Sequence, residues 1–451
     1  MILRRIFLAS ILFALCVNAA IRTVIASDNL ASPPNNIWIP GWKKTNAMTI
    51  ARAGAAAVSH GNRVYLIGGV DGASFLNTIE SAQINADGSL SRWVVISKMP
   101  EARGFMSAVI YKERMYVVGG ANGSYGKNLL SSIVSAPILK TGLLGNWRTE
   151  KEKLLTPRRC SKLFVKDNVL HVLGGFGGAL LDTVETSRFA MSGVLEPWVL
   201  QEKTMTMPRY VNEVKRVGDY ALVVGGHHPT QGKGMAEVEY AHLSEGDISW
   251  RTATPMNTGR YAFASATYKQ MLYVFGGISG AEYLNSSERI FVDRNIASNK
   301  WVKSVNLPEF MANFTTLVKD NRIYLVGGST RYRYMSNVWW ATFNESGDVG
   351  YYGTSQELDD FYSQNTVNEN ATLLPNSGIV LERIETDSYT YMRVLTHGKE
   401  IWLAAPETDV SVNTKIRFSE GVYMSNFRSK SLKRNFPAIL FVGSVSIENR
   451  D

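Results

Sequence analysis

Five arginines recur in one frame along this chain of 451 residues. Arg52, Arg103, Arg158, Arg209 and Arg260 each stand 16 residues ahead of a Gly-Gly pair. Guanidinium groups gathered by such a repeat could hold a carboxylate, a phosphate or a sulfated glycan through charge-assisted hydrogen bonds. A second series, Glu80, Glu185, Glu239 and Glu288, follows the first glycines by 11–14 residues. Those four carboxylates could instead close ion pairs inside each repeat. The arginines are therefore the ligand-binding candidates, and internal pairing with those glutamates is the competing structural role.

Other chemistry-bearing residues are fewer. His227 and His228 lie in "GGHHPTQGKG", directly after an apolar run. Adjacent residues of an extended segment point to opposite sides, and no carboxylate or cysteine follows at ligand spacing, so no metal site is expected. Cys16 falls in an apolar N-terminal segment, which leaves Cys160 alone, read as a small buried side chain. "GGFGGALL" lacks the Lys-Ser/Thr of a phosphate loop. Near the C-terminus "NFRSKSLKRNF" carries Arg428, Lys430, Lys433 and Arg434 between Phe427 and Phe436, a basic loop able in principle to contact phosphates and stack bases. No cofactor is implied. The net charge of +9 favours anionic partners only weakly.

The elements that must position these groups repeat as well. The first glycines of the pairs are Gly68, Gly119, Gly174, Gly225, Gly276 and Gly327, at intervals of 51, 55, 51, 51 and 51 residues. Each pair ends a nearly continuous apolar run such as "RVYLIGG" or "MLYVFGG", the pattern of a strand covered on both faces. Trp42, Trp93, Trp147, Trp198, Trp250 and Trp301 keep the same rhythm. A period near 50 residues with four short strands describes a propeller blade. The Gly-Gly, the tyrosine three residues earlier (Tyr65, Tyr116, Tyr273, Tyr324) and the later tryptophan resemble kelch repeats over residues 42–352. His171 and Leu222 replace the tyrosine in two repeats, Met311 replaces the arginine in the sixth, and Val134 and Trp339 replace the glutamate in two. The sixth repeat ends in "VGYYGTS", whereas "IPGWKKT" near the N-terminus has the missing tryptophan pattern. The N-terminal strand is therefore expected to complete the last blade and close the ring, removing exposed sheet edges.

Both ends of the chain differ from the repeats. "MILRR" followed by "IFLASILFALCVNAAI" reads as a signal peptide over residues 1–26, with an uncleaved anchor as the alternative. Residues 353–377 are polar and aperiodic, as in a linker. Strand-like runs resume over 378–447, in "GIVLERI", "SYTYMRV", "KEIWLAA", "TKIRF" and "AILFVGSVSI", and suggest a small barrel of OB or SH3-like type. This segment resembles small exported bacterial domains of the NrfJ-related kind, which implies a periplasmic or secreted setting. Nucleic acid is not an expected partner there.

The expected fold is all-β: a six-bladed kelch-type β-propeller over 38–352 followed by a small OB/SH3-like β-barrel. The kelch resemblance implies that Arg52, Arg103, Arg158, Arg209 and Arg260 form a ring at the mouth of the central channel. The expected function is an exported binding or scaffolding protein of the bacterial cell envelope that recognises a protein or an anionic glycan. The alternative comes from the kelch resemblance, which extends to sugar mutarotases and epimerases: a carbohydrate-active enzyme working at the channel mouth. No acid–base pair stands out by spacing to favour it.

Overall fold

A computed structural model describes residues 37–361 and 376–447, apart from 203, 230–231, 245–248, 387–388, 397, 407, 420 and 430. The expected signal peptide and Lys430 lie outside the described residues. The chain divides into two compact units, one of them Trp38–Tyr352 and the other containing everything from Gly353 onward.

In the first unit every apolar run becomes the second strand of an antiparallel sheet. Blade 1 is ordered Ala56–His60, Arg63–Ile67, Thr78–Gln83, Val94–Lys98 from the axis outward. Blades 2 to 6 repeat it, with innermost strands Ser107–Tyr111, Lys162–Lys166, Glu213–Val217, Ala264–Tyr268 and Thr315–Lys319. Val64, Tyr65, Leu66 and Ile67 are all fully buried, because both faces of their strand are covered by neighbouring blades. Blades 1 and 6 share one core, in which Val64 and Leu66 pack with Tyr324 and Val326. The innermost strands touch in sequence around the axis, including the last with the first, so the six blades form a closed ring.

Closure uses the N-terminal strand. Lys43–Thr45 pairs with Val338–Phe343 of blade 6, placing Lys43 opposite Trp340 and Thr45 opposite Val338. Val349–Gly353 pairs with the far end of the same strand, and Ile37–Ile39 extends the sheet to six strands. The first and last segments of the propeller thus meet in one sheet, and the otherwise open edge of Val338–Phe343 is covered.

The glycine pairs tie neighbouring blades together. The N–H of each second glycine donates to the main-chain carbonyl at the arginine position of the next blade: Gly69 to Arg103, Gly120 to Arg158, Gly175 to Arg209, Gly226 to Arg260, Gly277 to Met311 and Gly328 to Arg52, over 2.8–3.2 Å. At Gly175 φ is 94°, and a Cβ there would stand 2.5 Å from the carbonyl oxygen of Arg159, so no other residue fits. The tyrosines make a second tie. Tyr65, Tyr116, Tyr273 and Tyr324 donate their hydroxyls to the carbonyls of Gly142, Gly193, Gly347 and Gly88, in outer turns of adjacent blades. Leu222 faces blade 5, whose outer turn "VDRNIASN" has no such glycine.

The second unit is one seven-stranded sheet. Its strands are Asn376–Glu385, Thr390–Thr396, Lys399–Ala405, Lys415–Phe418, Gly421–Ser429, Arg434–Val442 and Val445–Ile447. Their order, counted from the sheet's ends, runs from Gly421–Ser429 through Arg434–Val442 and the first three strands to Lys415–Phe418 and Val445–Ile447. Two features depart from expectation. The presumed linker begins with a short helix over 355–361, capped reciprocally by Thr354 and Glu357. The presumed basic loop is a β-hairpin, with Phe427 opposite Phe436 and Arg428 opposite Asn435. Gly421–Ser429 is exposed along nearly its whole length, with apolar and polar residues mixed, so no period-2 alternation marks it.

Candidate functional site

The arginine series is placed inside the blades. Arg52, Arg103, Arg158, Arg209 and Arg260 are 0–1% exposed. Four of them pair with the glutamate series: Arg52 with Glu80, Arg158 with Glu185, Arg209 with Glu239, and Arg260 with Glu288 at 2.7 Å. Each of the five also donates to the carbonyl of its own first glycine, at 2.8–3.1 Å. The paired carboxylates in turn accept main-chain N–H groups of the preceding loop, from Thr49, Leu155, Thr206 and Asn257. Burial lowers the guanidinium pKa values and the facing carboxylates oppose that shift.

This geometry corrects the expectation of a ring of arginines at the channel mouth: the guanidiniums are consumed by bonds that lock loop, strand and glycine turn together. In blade 2, where Val134 replaces the glutamate, Arg103 takes Glu101 at 3.1 Å instead. In blade 6 both partners are lost together, and buried Met311 packs in the same apolar cluster as Trp339. Removing both charges leaves no unpaired ion, which is why the double replacement is tolerated.

One residue further along the chain, the blades differ. The residue after each arginine position forms an isolated bridge to the residue after the glycine pair. In blades 1, 2 and 6 these pairs are small: Ala53 with Val70, Gly104 with Ala121, Ala312 with Ser329. In blades 3, 4 and 5 they are Arg159 with Phe176, Tyr210 with His227, and Tyr261 with Ile278. The large side chains form a continuous arc. The Arg159 guanidinium lies 5.2 Å over the Phe176 ring, Phe176 is 6.1 Å from Tyr210, Tyr210 5.5 Å from His227, and His227 5.1 Å from Tyr261.

All five arc residues are half-buried, and His227 Nδ1 has no hydrogen-bond partner. Burial raises the Tyr261 pKa, so it stays a neutral donor, bonded to the Gly280 carbonyl at 3.2 Å. A half-circle of rings with one guanidinium, facing small residues across the axis, can stack on a flat apolar face and pair with a negative group. The tyrosines of this arc went unread in the sequence, although "RY" follows the frame in two repeats where the others have "RA", "RG", "RR" and "MA". His227, weighed as a metal ligand, is a member of the ring stack. Among the described residues no three His, Cys, Asp or Glu side chains are grouped to hold a metal.

Burial pushes the Cys160 thiol up to about 11, so the thiolate needed for reactivity is scarce near neutrality. "GGFGGALL" leads into the strand Val184–Arg188 and not into a helix. In the second unit Arg434 lies 4.4 Å over Trp402 and pairs with Glu382 at 3.4 Å, while Arg428 and Lys433 are exposed. No helix among the described residues is long and apolar enough to cross a membrane.

The closed ring of six four-strand units, with its Gly-Gly and tyrosine ties, defines a six-bladed β-propeller built on kelch repeats. A model of the kelch motif matches residues 51–81. Within that class the chain is similar to Kelch-like protein 38 of Rattus norvegicus, 27% identical over 150 residues that make up 33% of this chain and 23% of that protein. It is also similar to beta-scruin of Limulus polyphemus, 29% identical over 147 residues, 32% of this chain and 16% of that one. The chain spans less than a third of the length of these curated relatives. Among solved structures, that of YjhT shares the fold with a TM-score of 0.56 at 14% identity, covering 68% of this chain and 98% of that one.

Proposed function

We propose that this propeller is the recognition module of an exported binding or scaffolding protein, and that it takes a protein segment or an anionic glycan on the arc of Arg159, Phe176, Tyr210, His227 and Tyr261. The observation that carries this reading is the break in symmetry: the same two positions are small or aliphatic in three blades, while in the other three five of the six are aromatic or cationic, Ile278 being the exception. Ring closure and blade packing do not need large side chains there, since blades 1, 2 and 6 pack without them. Similarity to kelch-repeat proteins supports a binding role. Export rests on the N-terminal segment and on the resemblance of residues 378–447 to exported bacterial domains.

The second unit fits a small OB-like barrel that docks another partner. Support comes from the segment Lys415–Ser429. Lys415–Phe418 pairs with Asn376–Glu385 near one end of the strand order, and Gly421–Ser429 pairs with Arg434–Val442 at the other.

The test replaces Tyr210 and Tyr261 together by alanine, checks the fold by circular dichroism, and compares retention on a glycan array and in pull-downs from envelope extract. At least tenfold weaker capture of a ligand held by the unaltered protein is expected, and unchanged capture overturns the reading. Interconversion of sugar anomers on mixing would instead support the mutarotase-like alternative.

A further inference from the structure

The axis of the propeller holds a second, separate constellation. A cavity of about 150 Å³ is lined by the first residues of all six innermost strands. At the first core-facing position those residues are Ala56, Ser107, Ala264 and Thr315 in four blades, but Lys162 and Glu213 in blades 3 and 4. Two residues on, blade 4 has Lys215 where the other five carry Val, Phe, Ala or Leu. The repeat itself therefore asks for small or apolar side chains here, and charge enters on one side of the axis only.

The three charges do not cancel. Glu213 takes Lys162 Nζ at 2.5 Å and the Ser265 hydroxyl at 2.7 Å. Lys215 Nζ is left 3.7 Å from the same carboxylate, beyond hydrogen-bond length. Two ammonium groups against one carboxylate leave one positive charge facing the cavity, where the Lys162 and Lys215 side chains are 36% and 31% exposed and water screens part of it. Desolvation lowers the Lys215 pKa, against the pull of Glu213. Neutral donors line the same cavity. Asn212 is 1% exposed with neither end of its amide bonded, and the Ser161 hydroxyl, 2% exposed, is also without a partner. Buried polar groups of this kind are ordinarily satisfied, so their lack of partners marks a place where a further polar group belongs.

We propose that the axial cavity is a binding site for one small monocarboxylate, with Lys215 and Lys162 supplying the charge and Asn212 and Ser161 the neutral donors. A single carboxylate balances the surplus charge, and its two oxygens match the surplus of donors. The site is independent of the aromatic arc and of whatever binds there.

The test uses the whole chain and sodium acetate as probe, with sodium phosphate and sodium chloride as parallel arms at constant ionic strength. Thermal melting and isothermal titration are read together. Acetate is expected to bind saturably and to raise the melting temperature with its concentration, as a ligand of the native state alone must. Lys215→Met is expected to weaken acetate binding at least tenfold. Asn212→Ala, which keeps both lysines, is expected to weaken it less and serves if the lysine variant does not fold. No saturable acetate effect, the same effect from chloride, saturation by phosphate only, or wild-type acetate binding in both variants would each overturn the proposal.

Discussion

Arg158 shows what a single residue does here. Its guanidinium bonds Glu185, the Gly174 carbonyl and the Thr183 hydroxyl, all in the blade interior. Arg158→Met should leave Glu185 buried and half-satisfied, at a cost of about 3–5 kcal/mol in denaturant unfolding. Adding Glu185→Val should recover much of that, since blade 2 already carries valine at this position. A loss below about 1 kcal/mol for the single variant would deny the arginine its structural role. His171 makes a pH-dependent case. It is buried and stacked 4.6 Å from Phe164, and desolvation pushes its pKa down to about 4. The unfolded chain takes up this proton near pH 6.5 and the folded one only near 4. Stability is therefore intact above about 6.5 and declines as pH falls toward 4, by roughly 3 kcal/mol in all. His171→Phe should flatten that part of the acid limb, seen as melting temperatures that change less between pH 7 and 4. An unaltered slope would place the acid sensitivity elsewhere.

Among the elements, Lys43–Thr45 does most for its length. It is three residues long, yet it covers the open edge of Val338–Phe343, and Trp42 packs against the core of blades 5 and 6. A chain starting at Asn46 should melt roughly 10 °C lower and self-associate, because an uncovered edge strand offers unpaired N–H and C=O groups. Size-exclusion chromatography beside thermal melting checks this, and an unchanged monomer would show that the ring closes by other contacts. This closure was legible in the sequence, since "IPGWKKT" matched the strand the sixth repeat lacks. Of the hairpin, only the apolar run that ends Arg434–Val442 was legible; Gly421–Ser429 was not, because it is exposed along nearly its whole length and its register depends on cross-strand pairs.

At the scale of the whole molecule, symmetry and its violations divide structure from function. The period and the glycine pairs are the same in every blade, and the tyrosines and the buried arginine–glutamate pairs recur in four of the six. The arc at the mouth and the charges on the axis occupy one side only, as parts that recognise an asymmetric ligand would. The sequence by itself determined the number of blades, the four strands of each and the partner of the last blade, because a fixed period of buried strands and Gly-Gly turns admits few other ways to cover both faces of each sheet. It also contained the arginine and glutamate series, but a linear frame does not say whether two side chains point toward each other or toward the axis. Only the tertiary structure decided that. It buried the guanidiniums against carboxylates within the blade, and it gathered Arg159, Phe176, Tyr210, His227 and Tyr261 from three blades into one arc, since positions some 50 residues apart become neighbours only when blades wrap around a common axis.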